Sequence, residues 1–140
     1  MIDPRGQRVA AAFTTVVLAA VLLTGNAWLL LAQAVVFAVG VVAGPASTPY
    51  AWSFRRLIRP RLGSPSELEP AEPPRFAQLC GLMFTAAGLL GASLGSGVVV
   101  TLAVAFALTA AFLNAAFGFC LGCEVYLRLR RAGIRVPTFA

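Results

Sequence analysis

Three cysteines carry most of the chemistry this chain offers. Cys120 and Cys123 stand in Cys-Leu-Gly-Cys. Residues three apart on a helix share a face, about 5–6 Å apart between β-carbons, close to the separation a disulfide spans. Such a pair can cycle between dithiol and disulfide or attack a partner's disulfide. It can also be plain packing, because cysteine is a small apolar residue in a membrane helix. Two cysteines fill only half of a tetrahedral metal site, so a metal would need a second copy of the chain, and neither a metal nor a cofactor is called for. The chain has no histidine, which removes imidazole ligands, histidine bases and Ser-His triads. Cys80 lies about one turn inside an apolar stretch, at a depth that matches Cys120. It is either a third thiol within reach or a packed small residue.

The elements that must position these thiols are apolar. Hydrophobic residues make up 59% of the 140, charged residues 11%, and mean hydropathy is +0.85. Ordinary soluble domains are about 25% charged, so a water-soluble enzyme, a disordered chain and a disulfide-stapled secreted domain are all excluded. Four apolar stretches stand out, at about 9–24, 27–43, 76–94 and 98–123. A helix needs about 17–25 residues to cross a bilayer, which the last two meet comfortably and the first two barely. The first is read as a span and not a cleaved signal, since Asp3 precedes Arg5 and Arg8 and no clear cleavage site follows. No ionisable residue falls in the membrane core, which argues against an ion pump. Asn114, Gln33 and Gln78 are the polar exceptions, and Asn114 reads as interhelical hydrogen-bond glue. With the fourth stretch helical through Cys123, the pair sits at a helix C-terminus. There Glu124 and the helix dipole favour the thiol, while Arg128, Arg130 and Arg131 favour the thiolate.

Tight uncharged turns at Gly25-Asn26 and Gly95-Ser96-Gly97 fold the stretches into two hairpins. All eleven arginines and all five acidic residues then fall in the N-terminal segment, the central loop 44–75 or the C-terminal segment. An even number of spans puts these three segments on one face, and the positive-inside rule makes that face cytoplasmic. The expected fold is therefore all-α: a single membrane domain, 1–140, of four helices in two tandem transmembrane hairpins, both termini cytoplasmic, in the plasma (cell inner) membrane. A net charge of +6 on such flanks pairs with anionic headgroups rather than nucleic acid. Within the loop, Thr48-Pro49 starts a short interfacial amphipathic helix, with Tyr50, Phe54, Leu57 and Ile58 on one face and Arg55, Arg56 and Arg59 on another. Pro60 is expected to end it. An extended acidic linker follows from Pro65 to Pro74. Pro4-Arg5 and Pro74-Arg75 open the two hairpins, and aromatic-then-arginine runs close them, which suggests a parallel internal repeat.

Asp3-Pro4-Arg5-Gly6, Pro74-Arg75-Phe76-Ala77-Gln78 and the run Asn114 to Tyr126, with Phe-Cys-Leu-Gly-Cys-Glu at its centre, resemble a bacterial membrane family catalogued as domain of unknown function 4395. The resemblance covers roughly residues 3–131. It implies a multispan membrane protein with a Cys-x-x-Cys, no established activity, and a thioredoxin-like or rhodanese-like sulfur-handling protein as partner. Cys80 lies outside that pattern. Two functional expectations result. One is a cytosol-facing thiol redox or sulfur-relay protein using Cys120 and Cys123. The other is a non-enzymatic scaffold whose surface is Arg55, Arg56 and Arg59 with Arg128, Arg130 and Arg131. A small-solute permeation unit built from oligomers is a weaker third.

Overall fold

A computed structural model describes residues 3–63 and 68–134, and its regular structure is helical. Asp3 caps α1 (Pro4–Thr24) by accepting the Arg5 N–H, with proline in the first turn where the missing donor costs nothing. Gly25, in the left-handed region at φ 69°, closes α1, and Asn26 at once caps α2 (Ala27–Val42). A left-handed glycine followed by a capping side chain satisfies both helix ends inside two residues. After a 3-10 turn (Pro45–Ser47), Thr48 caps α3 (Pro49–Ser53), which continues through a π turn (Phe54–Ile58) into α4 (Arg59–Leu62). Next come α5 (Glu72–Ser93), α6 (Gly97–Phe117) and α7 (Leu121–Arg131).

Three of these helices, α1, α5 and α6, are long and apolar enough to cross a membrane, whereas α2 is apolar but shorter. Its 16 residues reach about 24 Å at the usual helical rise. Their outer faces stay apolar: Leu23 is 87% and Trp28 80% exposed, and Val16, Phe106 and Phe117 also point outward. A contiguous apolar exterior of this extent suits lipid rather than water.

Packing crosses between the two halves of the chain. α1 lies chiefly on α6 and α2 chiefly on α5, with α5 also against α6. Leu18 and Val21 of α1, Leu30 of α2 and Val104 and Ala107 of α6 form the core. Glycines let α2 and α5 approach closely. Phe37 lies over Gly81, where a β-carbon would come within 2.6 Å of the ring, and the Gln78 side chain lies over Gly40 at the same distance. Two arginines tie the helix ends across the halves. Arg8 donates to the Ala115 and Ala116 carbonyls at the end of α6. Arg75 donates to the Val41 and Val42 carbonyls at the end of α2. Each supplies donors and positive charge to carbonyls that a helix C-terminus leaves unpaired. These bonds, with Arg5 to the Leu62 and Gly63 carbonyls, gather the charged segments at one end of the molecule.

Four expectations are corrected. The stretch expected to run 98–123 as one helix breaks after Phe117: Gly118 is left-handed at φ 67°, and a second helix starts at Leu121. Pro60 does not end the loop helix. The Arg59 N–H bonds five residues back to the Phe54 carbonyl, so the widened turn accommodates a residue that has no N–H to give, and helix continues to Leu62. That turn also shifts the phase, so that Phe54 is buried while Leu57, expected beside it, is exposed. The loop expected to reach residue 75 ends at Ala71, because Glu72 and the prolines at 73 and 74 form the first turn of α5. Glu67 and Arg135, counted among the one-sided charges, lie outside the described residues, as does most of the start of the acidic linker.

Candidate functional site

The helix break makes the site. Gly118 closes α6 with its N–H on the Asn114 carbonyl, and the Phe119 N–H reaches back to Leu113. Two residues later Cys120 is the N-cap of α7, in extended conformation, and its sulfur accepts the Cys123 N–H at 3.1 Å. The Cys120 carbonyl takes the Glu124 N–H. A disulfide joins Cys120 to Cys123, with 5.2 Å between their α-carbons. The pair therefore opens a helix, where sequence reasoning had it closing one, and the dipole argument reverses. The positive end of the α7 dipole lies at the Cys120 sulfur, which accepts the Cys123 N–H. Among the described residues the Asn114 side chain makes no hydrogen bond between helices; its carbonyl ends α6.

Other contacts hold this capped turn in place. The Arg8 side chain runs beside Gly118, where a β-carbon would lie 3.7 Å from its Cδ and Nε. Gly122 packs α7 tightly on α5: a β-carbon there would fall 2.7 Å from the Ala77 α-carbon. One turn on, Tyr126 is buried, its ring meets Phe76 at 5.7 Å between centroids, and its hydroxyl donates to Glu72 at 3.1 Å. Burial, with Glu72 adding to it, pushes the Tyr126 phenol up.

The first half of the chain has a matching arrangement without the thiols. Gly44, at φ 98°, follows α2, and Thr48 caps α3 by accepting the Ala51 N–H at 3.2 Å. Tyr50 stacks on Phe13 at 5.1 Å and donates to Gln33, which reaches Thr14. Cys120 thus holds the capping position that a threonine hydroxyl holds in the other half.

A cavity of about 560 Å³ opens beside the capped turn. Cys120 and Cys80 both lie on its wall, with Thr14, Gln78, Asn114 and Arg59; Cys123 does not line it. Arg55 also lines it, while its guanidinium bonds the Ala46 carbonyl. The remaining arginines are elsewhere. Arg56 covers the exposed Trp52 ring at 5.7 Å and Arg130 covers Tyr126 at 5.9 Å. Arg128 and Arg131 are exposed on α7. Among the described residues no three His, Cys, Asp or Glu side chains are grouped to hold a metal. Sequence reasoning missed Arg8 and Ala77. Arg8 was visible only as a flanking charge, and nothing marked Ala77 as a backbone contact.

The family described as Domain of unknown function (DUF4395) matches residues 2–131. No curated protein and no solved structure matches the chain.

Proposed function

We propose that this chain, which belongs to the DUF4395 family, is a plasma-membrane protein whose Cys120–Cys123 pair exchanges disulfides with a thiol protein on the cytoplasmic side. The observation that carries this reading is the position of Cys120 at the start of α7, its sulfur on the Cys123 N–H. A thiolate there is stabilised by the helix end, and its neighbour three residues on is already within bonding distance. In the reduced form the Cys120 thiolate attacks a partner disulfide, forming a mixed disulfide and releasing one partner thiolate. The Cys123 thiolate then attacks the Cys120 sulfur, closing the Cys120–Cys123 bond and releasing the second partner thiol. Two electrons pass from the chain to the partner, and the reverse sequence returns them.

Orientation follows from arginine asymmetry. The uncharged turns at residues 25–26 and 94–96 face outward, and the charged segments face the cytosol. In this arrangement α2 is the fourth span, its shortness relieved by local thinning of the bilayer. The two halves are parallel repeats, each of two spans, a left-handed glycine and a capped interfacial helix. Arg55, Arg56, Arg59, Arg128, Arg130 and Arg131 then lie against anionic headgroups, with Trp52 at the interface. A thioredoxin-like or rhodanese-like protein fits as the thiol partner, and the chain works alone or as an oligomer without a bound cofactor.

The test is a thiol titration of the full chain in native membranes, by gel shift across a graded glutathione series, in a Cys80→Ala background. A single two-electron transition within the cytosolic range supports the reading. Thiols that stay free throughout the series reject it.

A further inference from the structure

Cys80 is a free cysteine, half-buried in α5, and the packing of α7 determines what it faces. Gly122 meets Ala77, and Tyr126, one turn further along α7, meets Phe76 and Glu72, further back along α5. The two helices therefore run antiparallel. Following that register two residues before Gly122 and three beyond Ala77 brings Cys120 level with Cys80. Both cysteines also lie on the wall of the same cavity, and Cys123 does not.

We infer that Cys80 is a third exchanging thiol, which takes the disulfide from Cys120 inside the molecule. The inference rests on the exchange reading of the Cys120–Cys123 pair and extends it. The Cys80 thiolate attacks the Cys120 sulfur along the cavity; the Cys80–Cys120 bond forms, the Cys120–Cys123 bond breaks, and Cys123 leaves as the thiolate. The proton lost by Cys80 is taken up by Cys123, and the number of disulfides stays at one, so no outside oxidant or reductant is consumed. The consequence is a storage position. With the bond moved to Cys80, the oxidising equivalent is held on the cavity wall, and Cys123, which does not line the cavity, is free.

The experiment uses full-length protein in native membranes, oxidised with diamide and mapped by mass spectrometry of its peptides. Cys123→Ser leaves Cys120 and Cys80, and an intrachain link between them is expected. Cys120→Ser leaves Cys80 and Cys123, and no intrachain link is expected. A Cys123→Ser chain that forms no link, or a Cys120→Ser chain that links equally well, overturns the proposal. As a check independent of variant folding, partly oxidised wild-type protein is expected to contain a fraction with the Cys80–Cys120 bond and a free Cys123. Its absence, while the Cys120–Cys123 couple still titrates, removes the relay and leaves the exchange reading standing. Failure of the couple itself to titrate removes both.

Discussion

Gly122→Ala decides whether the dithiol turn is held against α5 in the way described. Two terms of opposite sign compete. Alanine in place of glycine inside a helix is worth about 0.8–1 kcal/mol of intrinsic propensity. Against it, the new methyl would stand 2.7 Å from both the α- and β-carbons of Ala77, where ordinary contact between carbons is about 3.5–4.0 Å. Since the Ala77 α-carbon is backbone, no rotamer change relieves the contact, and α7 must move outward by about 1 Å. Overpacking of this kind costs about 1–3 kcal/mol, so the net effect is a destabilisation of about 1 kcal/mol, or a drop of about 3 °C in thermal midpoint for a chain of this size. The Tyr126–Glu72 hydrogen bond is expected to loosen with it. The assay is the thermal midpoint of purified protein in detergent, with Gly97→Ala as control. Gly97 opens α6 with nothing within 4 Å of its would-be β-carbon, so there only the propensity term acts and the midpoint holds or rises. If Gly122→Ala also holds or rises, the close α5–α7 contact, and the register argument built on it, are wrong.

Further outcomes follow from the same contacts. In reduced protein, Cys120→Ala should lose the α7 cap and cost about 0.5–2 kcal/mol, while Cys120→Ser should keep the cap and lose only exchange; comparing their thermal midpoints separates capping from thiol chemistry. Gly118→Ala forces a β-carbon into the left-handed region at a cost of about 1–2 kcal/mol, and faster maleimide labelling of reduced Cys120 and Cys123 would report the misplaced turn. Gln33→Leu removes the acceptor of the half-buried Tyr50 hydroxyl and is expected to cost about 1–3 kcal/mol, read as a lower thermal midpoint that the double change with Tyr50→Phe partly restores. Asp3 is held below the usual carboxylate range, chiefly by its hydrogen bond from the Arg5 side chain. Its contribution is therefore complete above the ordinary value of about 3.9 and is lost as pH falls through the lower folded value. Asp3→Asn should flatten that acid-side decline in midpoint while keeping the α1 cap, and an unchanged decline would refute the assignment.

Much of the fold was legible in the chain because hydropathy and helix punctuation are local. Apolar runs locate α2 and the C-terminal ends of α1 and α5 to within a residue, though both of those helices start four or five residues earlier than the runs; Gly25-Asn26 and Gly95-Ser96 mark the turns, and Thr48-Pro49 marks the start of α3. The helix that starts after Thr48 was only half legible. A π turn reconciles Pro60 with continued helix, and it leaves Phe54 packed beside Gly6, where a β-carbon would come within 3.0 Å of the ring. Pro4-Arg5 and Pro74-Arg75 looked equivalent in sequence. In the fold, Arg75 and Arg8 play matching parts, while Arg5 pairs with Asp3 at 2.9 Å.

By itself the sequence determined that this is an all-α chain with long apolar helices, that its charges fall outside the apolar runs, and that two cysteines stand three residues apart. These properties follow from residue type and spacing along the chain. The tertiary structure decided that Gly118 ends a helix, so that Cys120 caps the next, and that Cys80 shares a cavity with it. A glycine inside an apolar run fits a helix interior as readily as a left-handed stop. Which state wins depends on long-range partners: the Arg8 guanidinium on the freed α6 carbonyls, and the Ala77 backbone, which only a glycine at 122 lets α7 approach.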